Sequence, residues 1–502
     1  MTTGIWILGD QLYHQQSALQ QNRATMEDCQ LVMIESLEHI RKRKYHRQKI
    51  VLVWSAMRHF AKELVHAGWE CDYFREVEGF ERTLEQWVEE NHIDEVHIMK
   101  PNDRPFESMI QGLQLPCKIV LEENNAFIWR EEEFRLWADN RKSLILEHFY
   151  RESRRRLGLL MDDEEPEGGE WNYDKYNRER AKQGLSPSPP VRFEPDSITQ
   201  EVIDVVANLD VPLFGELDSF GWGVTRSDAQ VALDDFIDNR LATFGPYEDV
   251  MLSGEPSMWH STLSPYLNLG LLRPLAVAQE AEKAYYDRNL EIRSVEGFIR
   301  QIIGWREFIR GVYAVVEREY PESNFFNHDR PLPGFYWSGE TGMKCMRSVL
   351  KQLQDSGYAH HIQRLMILSN FALIAGLLPQ AVEDWFHAVF IDSYDWVMQP
   401  NVIGMGLFAD GGVLSTKPYS ASANYINKMS DYCKACDYDH RSRTGANACP
   451  FNVLYWNFLI THEDKLRDLG RMGLVLSHLD KMDDEEIGVI QEIAAGLMAG
   501  FT

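Results

Sequence analysis

Over the first 122 residues, short apolar runs alternate with stretches whose apolar positions recur every three or four residues. The runs are GIWILG at 4–9, QLVMI at 30–34, IVLVW at 50–54, ECDYF at 70–74, EVHIM at 95–99 and KIVL at 118–121. Their length and their Ile, Val and aromatic content are those of buried strands. Helical patterns such as SAMRHFAKELVHAG and ERTLEQWVEENH lie between several of them. Strands alternating with helices predict a doubly wound parallel α/β domain over residues 1–135. The first strand runs into Gly9, Asp10 and Gln11, and such sheets bind ligands beyond the carboxyl ends of their strands. No G-x-G-x-x-G follows it, so the position suits a ligand smaller than a dinucleotide.

Residues 162–196 lose this pattern and become dense in Pro, Gly and charge. They offer too little apolar surface to fold alone, and we read them as part of a connector over 136–200. Beyond it nearly every segment is helical, including EVIDVVANL, SDAQVALDDFIDNRLATF and VEGFIRQIIGWREFIRGVYAVVE. In the last of these Ile302, Trp305, Ile309 and Val312 form one stripe. Residues 201–502 are therefore expected to be all-α.

Composition changes this picture little: 502 residues, 44% hydrophobic and 25% charged, with 14 tryptophans. The start MTTGIWILGD has no basic leader, and no run of about 18 apolar residues follows. These features predict a cytoplasmic protein without a membrane segment. A net charge of −26 argues against indiscriminate nucleic-acid binding. A local basic face survives such a total, because screening confines each field to about 8–10 Å. RKRKYHRQK at 41–49 and RESRRR at 151–156 are the strongest basic clusters, and we read both as solvated faces.

Cys433, Cys436 and Cys449 form a C-x2-C-x12-C array followed by Pro450, in a chain of seven cysteines. Such grouping points to a metal, and a tetrahedral thiolate site needs a fourth ligand. Cys345 is the best candidate, since Cys29, Cys71 and Cys117 fall in the α/β region. Spacing alone suggests structural zinc first, fits an iron–sulfur cluster equally well, and does not choose between them. A disulfide is disfavoured without a secretory segment.

Two helical stretches go beyond generic patterning. WHSTLSPYLNLGLL at 259–272 and FIRQIIGWREFIRGVY at 298–313 resemble, in this order, flavin-binding motifs of photolyases and cryptochromes. The first alone has a simpler account, a capped helix with Pro265 in its first turn. HHIQRLM at 360–366, FIDSYDWVMQPNVIGM at 390–405 and the cysteines narrow the resemblance to the iron–sulfur bacterial cryptochromes and photolyases. LGDQL at 8–12 and SAMRHF at 55–60 extend it over essentially the whole chain.

The resemblance implies FAD in the helical domain, a [4Fe-4S] cluster on Cys345, Cys433, Cys436 and Cys449, and a 6,7-dimethyl-8-ribityllumazine antenna near Gly9, Asp10, Gln11 and Glu35. His260, Ser261, Thr262, Leu263 and Ser264 match the phosphate-binding turn, where hydroxyls and backbone N–H groups meet an anion at a helix start. Gln301 and Arg306 match the next flavin-facing helix, in which Gly304 is an extra residue. Asp392, Asp395 and Asn401 match the segment along the isoalloxazine edge. Most photolyases carry an arginine directly before the methionine of HHIQRLM; here Leu365 stands there and Arg364 one residue earlier, so a contact from Arg364 to the flavin or its Asp partner is not expected.

His361 aligns with the proton donor of (6-4) photolyases, and His360 would orient it or tune its pKa. Acid assistance is needed when a group must move back between two pyrimidines, and cyclobutane-dimer repair has no such step. Trp337 and Trp385, with Phe386 and Tyr394 nearby, are candidate electron-transfer sites. The implied function is light-driven repair of (6-4) photoproducts in UV-damaged DNA by a monomer. The alternatives are a cryptochrome photoreceptor and a cyclobutane-dimer photolyase.

Overall fold

The computed structural model describes residues 2–182 and 184–501. Five strands, β1 (Thr3–Trp6), β2 (Cys29–Ser36), β3 (Glu70–Val77), β4 (Glu95–Met99) and β5 (Lys118–Glu122), form a parallel sheet in the order β3-β2-β1-β4-β5. The chain reverses its direction of winding between β1 and β4, which opens a crevice beyond the end of β1.

The run IVLVW is not a strand. It lies within a 20-residue helix, Arg47–His66, where Ile50, Val51, Leu52 and Trp54 are all buried. A helix covered on several sides presents a continuous apolar run, and over five residues periodicity cannot separate it from a strand. The neighbouring basic cluster is a solvated face only in part: Arg41, Lys42 and Lys44 are exposed. Its end is stitched into the helical body: His46 Nε2 lies 2.9 Å from the Leu353 carbonyl, Gln48 donates to the Asp355 carbonyl at 2.7 Å, and Lys49 Nζ donates to Ser393 O and Oγ at 2.5 and 2.8 Å.

Residues 136–200 hold more structure than a connector. The helix Leu146–Leu157 buries Phe149 and Tyr150 beside the flavin-motif helix, and a two-residue hairpin, Met161–Asp162 with Glu165–Pro166, follows. Asn177 to Asp196 carries no helix or strand among its described residues. The RESRRR cluster lies on the helix; Arg154 is fully buried and donates to the carbonyl of Trp171 at 2.9 Å, while Arg151 pairs with Glu147.

The rest is helical. Three of its helices contain a π turn: Arg300–Arg306, Gln363–Ser369 and Pro400–Gly406. A π turn closes i→i+5 rather than i→i+4, so it absorbs one added residue without breaking the helix, and Gly304 falls inside the first. Among the described residues no helix is long and apolar enough to cross a membrane.

Candidate functional site

A cavity inside the helical body is walled by the turn before helix Ser264–Leu269 and by all three π turns. Its lining includes His260, Ser261, Thr262, Leu263, Ser264, Gln301, Arg306, Asp392 and Asn401. In the turn, Met258 and Thr262 adopt left-handed φ values of 48° and 57°. Each costs a non-glycine residue about 1–3 kcal/mol, and buried Trp259 and Leu263 between and beside them hold the turn in place.

Asp392 organises the far wall. Arg364 binds it bidentately, with Nη1–Oδ1 and Nη2–Oδ2 both 2.9 Å, and Ser264 Oγ donates to Oδ2 at 2.6 Å. Burial alone would raise the Asp392 pKa, but Arg364 and Ser264 hold it below the ordinary carboxylate value. The contact not expected from sequence therefore forms. The π turn starting at Gln363 shifts the helical register, so an arginine one position early still reaches the aspartate.

His361 is the first residue of the helix at 361–375, and its ring is exposed to the cavity. The protein packed around the cavity, and then the Arg364 guanidinium, push its pKa down to about 4. His360 does not reach the cavity. Its ring is buried behind the wall and stacked on His260, centroids 4.5 Å apart and planes at 14°, with neither nitrogen partnered. Burial keeps both stacked rings neutral. His360 thus supports the site and cannot touch a reactant.

Asp395, expected at the flavin edge, faces a second cavity. That cavity lies beyond the ends of β1 and β2, against residues 387–395 of the helical body. Gly9 and Asp10 line it as expected, while Gln11 and Glu35 do not. Gln11 turns inward to donate to the Met99 carbonyl at 2.8 Å; Glu35 is held by Arg58 at 2.7 and 2.9 Å and by Tyr73 at 2.7 Å. Successive strand residues point to opposite faces, so Ile34 and Ser36 line the cavity and Glu35 between them cannot.

Sequence reasoning missed Lys49, Asp103 and His387 in this wall; Lys49 was visible only as the end of a basic run. Burial lowers the Lys49 pKa to about 7 and raises that of Asp10 to about 6 against a 2.7 Å bond from Asn102. Glu383, His387 and Asp395 place three ligand-type atoms within 4.8 Å of one another. Arg43 Nη2 stands 3.7 Å from Asp395, and Lys49 is close by, so these cations already answer the carboxylates.

The four cysteines converge on one small cavity. Cys345 sits in the first turn of helix Lys344–Ser356, Cys433 in the turn Tyr432–Ala435 with Cys436 next to it, and Cys449 caps helix Pro450–Thr461. One tetrahedral zinc with bonds of about 2.3 Å needs sulfurs about 3.8 Å apart. A [4Fe-4S] cluster also takes four thiolates, so the convergence of the four cysteines offers a complete donor set to either group.

Trp337 and Trp385 lie 6.5 Å apart edge to face, and Trp385 is 5.2 Å from Phe386, which lines the first cavity. The Trp385 indole N–H has no partner, and Lys44 caps the outer ring, 5.1 Å from the Trp337 centroid.

Residues 5–222 match the family model for deoxyribodipyrimidine photo-lyase-related protein. The chain is 44% identical over 493 residues to a (6-4) photolyase of Agrobacterium fabrum, covering 97% of each. A bacterial class III photolyase structure from Agrobacterium tumefaciens shares the fold at a TM-score of 0.57 and 15% identity, covering 100% of this chain and 97% of that one. The Synechocystis sp. PCC6803 cryptochrome gives 0.54 at 15% identity, covering 81% and 82%. This kinship implies FAD, and the first cavity fits it: hydroxyls line its turn, and the buried Arg306 guanidinium in its wall keeps an unpartnered Nε for an acceptor. With close identity over nearly the full length of both chains, the protein belongs to the photolyase and cryptochrome family.

Proposed function

We propose that the protein is a (6-4) photolyase, repairing (6-4) pyrimidine–pyrimidone photoproducts in UV-damaged DNA under light. The observation that carries this reading is His361, a titratable ring exposed on the wall of the flavin cavity. Bound there, FAD supplies the light-driven electron. The turn at 260–264 and Arg306 would hold it, and the Arg364–Asp392 pair braces the cavity wall. His361 delivers a proton to the group returning between the two pyrimidines, from the side that the lesion enters. Burial first, and then the Arg364 charge, push the pKa of the ring down to about 4, so the ring needs a neighbouring anion to take up the proton it delivers. Flipping the lesion out costs least where damage has already disturbed stacking.

Cys345, Cys433, Cys436 and Cys449 hold a [4Fe-4S] cluster in this reading, supported by the convergence of all four thiols on one small cavity. The second cavity takes the lumazine antenna, with Gly9, Asp10, Lys49 and Asp103 in its wall. Trp337 and Trp385 pass electrons inward through the Phe386 contact. The test is illumination of purified protein with oligonucleotides carrying either a (6-4) photoproduct or a cyclobutane dimer, followed by quantification of restored bases. Selective loss of the (6-4) lesion is expected. Repair of neither lesion, with reduced FAD and lesion binding both demonstrated, would make the protein a photoreceptor.

A further inference from the structure

The cysteine nest and the histidine pair are far apart in sequence, yet one side chain joins them. Gln363 is buried, 1% exposed, and both ends of its amide are hydrogen-bonded. Its oxygen accepts from the His360 backbone N–H at 3.2 Å; its nitrogen donates to Gln352 Oε1 at 3.0 Å and to Tyr432 Oη at 3.3 Å. Gln352 lies two turns after Cys345 on the same helix, and Tyr432 directly precedes Cys433. Two of the three cysteine-bearing elements are thus hydrogen-bonded to the third residue of the helix that His361 begins.

We infer that Gln363 is a positioning residue for His361, setting the start of its helix and tying that start to the cysteine nest. The inference rests on the reading of His361 as proton donor. The first N–H groups of a helix have no intrahelical acceptor, and a Gln at the third position that reaches back to the capping residue is the reciprocal half of a capping box. Here the capping residue is His360, so Gln363 fixes the backbone immediately before His361. Gln352 adds the next constraint. Its Nε2 also donates to the carbonyls of Tyr358 and Pro256, both at 2.9 Å, which locks the chain entering the pair and the loop entering the phosphate turn. Among the described residues the exposed His361 ring makes no side-chain hydrogen bond to orient it, so its placement follows from that backbone. A displacement of about 1 Å at a reacting group can cost 10²-fold in rate.

The test compares Gln363→Leu and Gln363→Glu with wild type in the full, cofactor-loaded protein. Glutamate keeps an acceptor for His360 N–H but loses the amide donors, and it serves as the second variant should Gln363→Leu prevent folding. Three readouts are taken: FAD and cluster absorbance, (6-4) repair split into kcat and KM for lesion DNA, and NMR signals of ring-labelled histidine. Expected for Gln363→Leu are unchanged absorbance, unchanged KM, a kcat lower by about 10- to 100-fold, and displaced His361 ring signals. Gln363→Glu should recover most of the kcat. Repair within twofold of wild type together with unmoved His361 signals would overturn the inference. If wild type repairs no (6-4) lesion, the functional reading fails instead, and the ring signals alone still decide whether Gln363 places His361.

Discussion

Asp392→Asn removes one charge from the flavin cavity and almost no volume. The aspartate side chain is 5% exposed and its Arg364 partner 17%, so the substitution strands a guanidinium with little water to replace the lost carboxylate. Breaking one partner of a buried pair costs about 3–5 kcal/mol, and the partial exposure of Arg364 favours the lower end, about 3 kcal/mol. At about 2.1 cal/mol/K of unfolding entropy per residue, a 502-residue chain loses about 1 kcal/mol per degree near its midpoint, giving a fall in Tm of about 3 °C. The assay is thermal release of FAD followed by its fluorescence, for wild type, Asp392→Asn, Arg364→Met and the double variant. Removing both partners leaves no stranded charge, so the double variant should melt above the sum of the single losses. The effect is also pH-dependent. The Asp392 pKa is held down in the folded state, so the unfolded chain binds more protons near pH 4, and the stabilisation is complete above about pH 4 and lost as pH falls through the folded pKa. The gap between wild type and Asp392→Asn should be constant from pH 8 to about pH 5 and close in more acid solution. Equal melting of the two proteins at pH 7, with equal FAD retained, would refute the reasoning.

His361→Asn should abolish (6-4) repair while FAD content and lesion binding stay near wild type, because an amide cannot deliver a proton; repair at the wild-type rate would end the acid assignment. Cys433→Ala should lose iron and acid-labile sulfide together and lower the yield of folded protein, and one zinc per wild-type chain without sulfide would rule out the cluster. Trp385→Phe should slow flavin photoreduction in the presence of a thiol reductant without changing bound FAD; an unchanged rate would send the electrons by another route. Lys49→Met should weaken antenna absorbance and shift the FAD spectrum together, since Lys49 lines one cavity and holds Ser393 beside Asp392 in the other.

The parallel sheet and helical body were legible because apolar periodicity responds to burial, and burial is what these elements share. IVLVW was misread for the same reason: a helix buried on several sides loses the polar face that would mark it. The turn at 260–264 and the cysteines stand out as local motifs, and each group gathers at one cavity, but the placement of Glu35 and Asp395 does not, because facing is decided by strand alternation and by which cavity a helix start abuts. Arg364 shows the limit most clearly. Counting along an α-helix puts it out of register, and only the π turn restores its contact with Asp392, a change of hydrogen-bond spacing that leaves no mark on residue type.

The two cavities are closer than their separate domains suggest, and the segment between them explains why. Asp392 lines the flavin cavity, Tyr394 and Asp395 line the second, and Trp396 returns to the first. Three residues span at most about 11 Å even fully extended, so Asp392 and Asp395 cannot hold the two walls farther apart than that. The N-terminal domain grips this segment at both ends: Lys49 bonds to Ser393, and Asp103 Oδ1 accepts from the Trp396 backbone N–H at 2.9 Å. Both gripping residues line the second cavity themselves. A ligand there presses on the same short segment that carries Asp392 and Trp396, and the domain seam is thereby a fixed spacer between the two cavities as well as a packing interface.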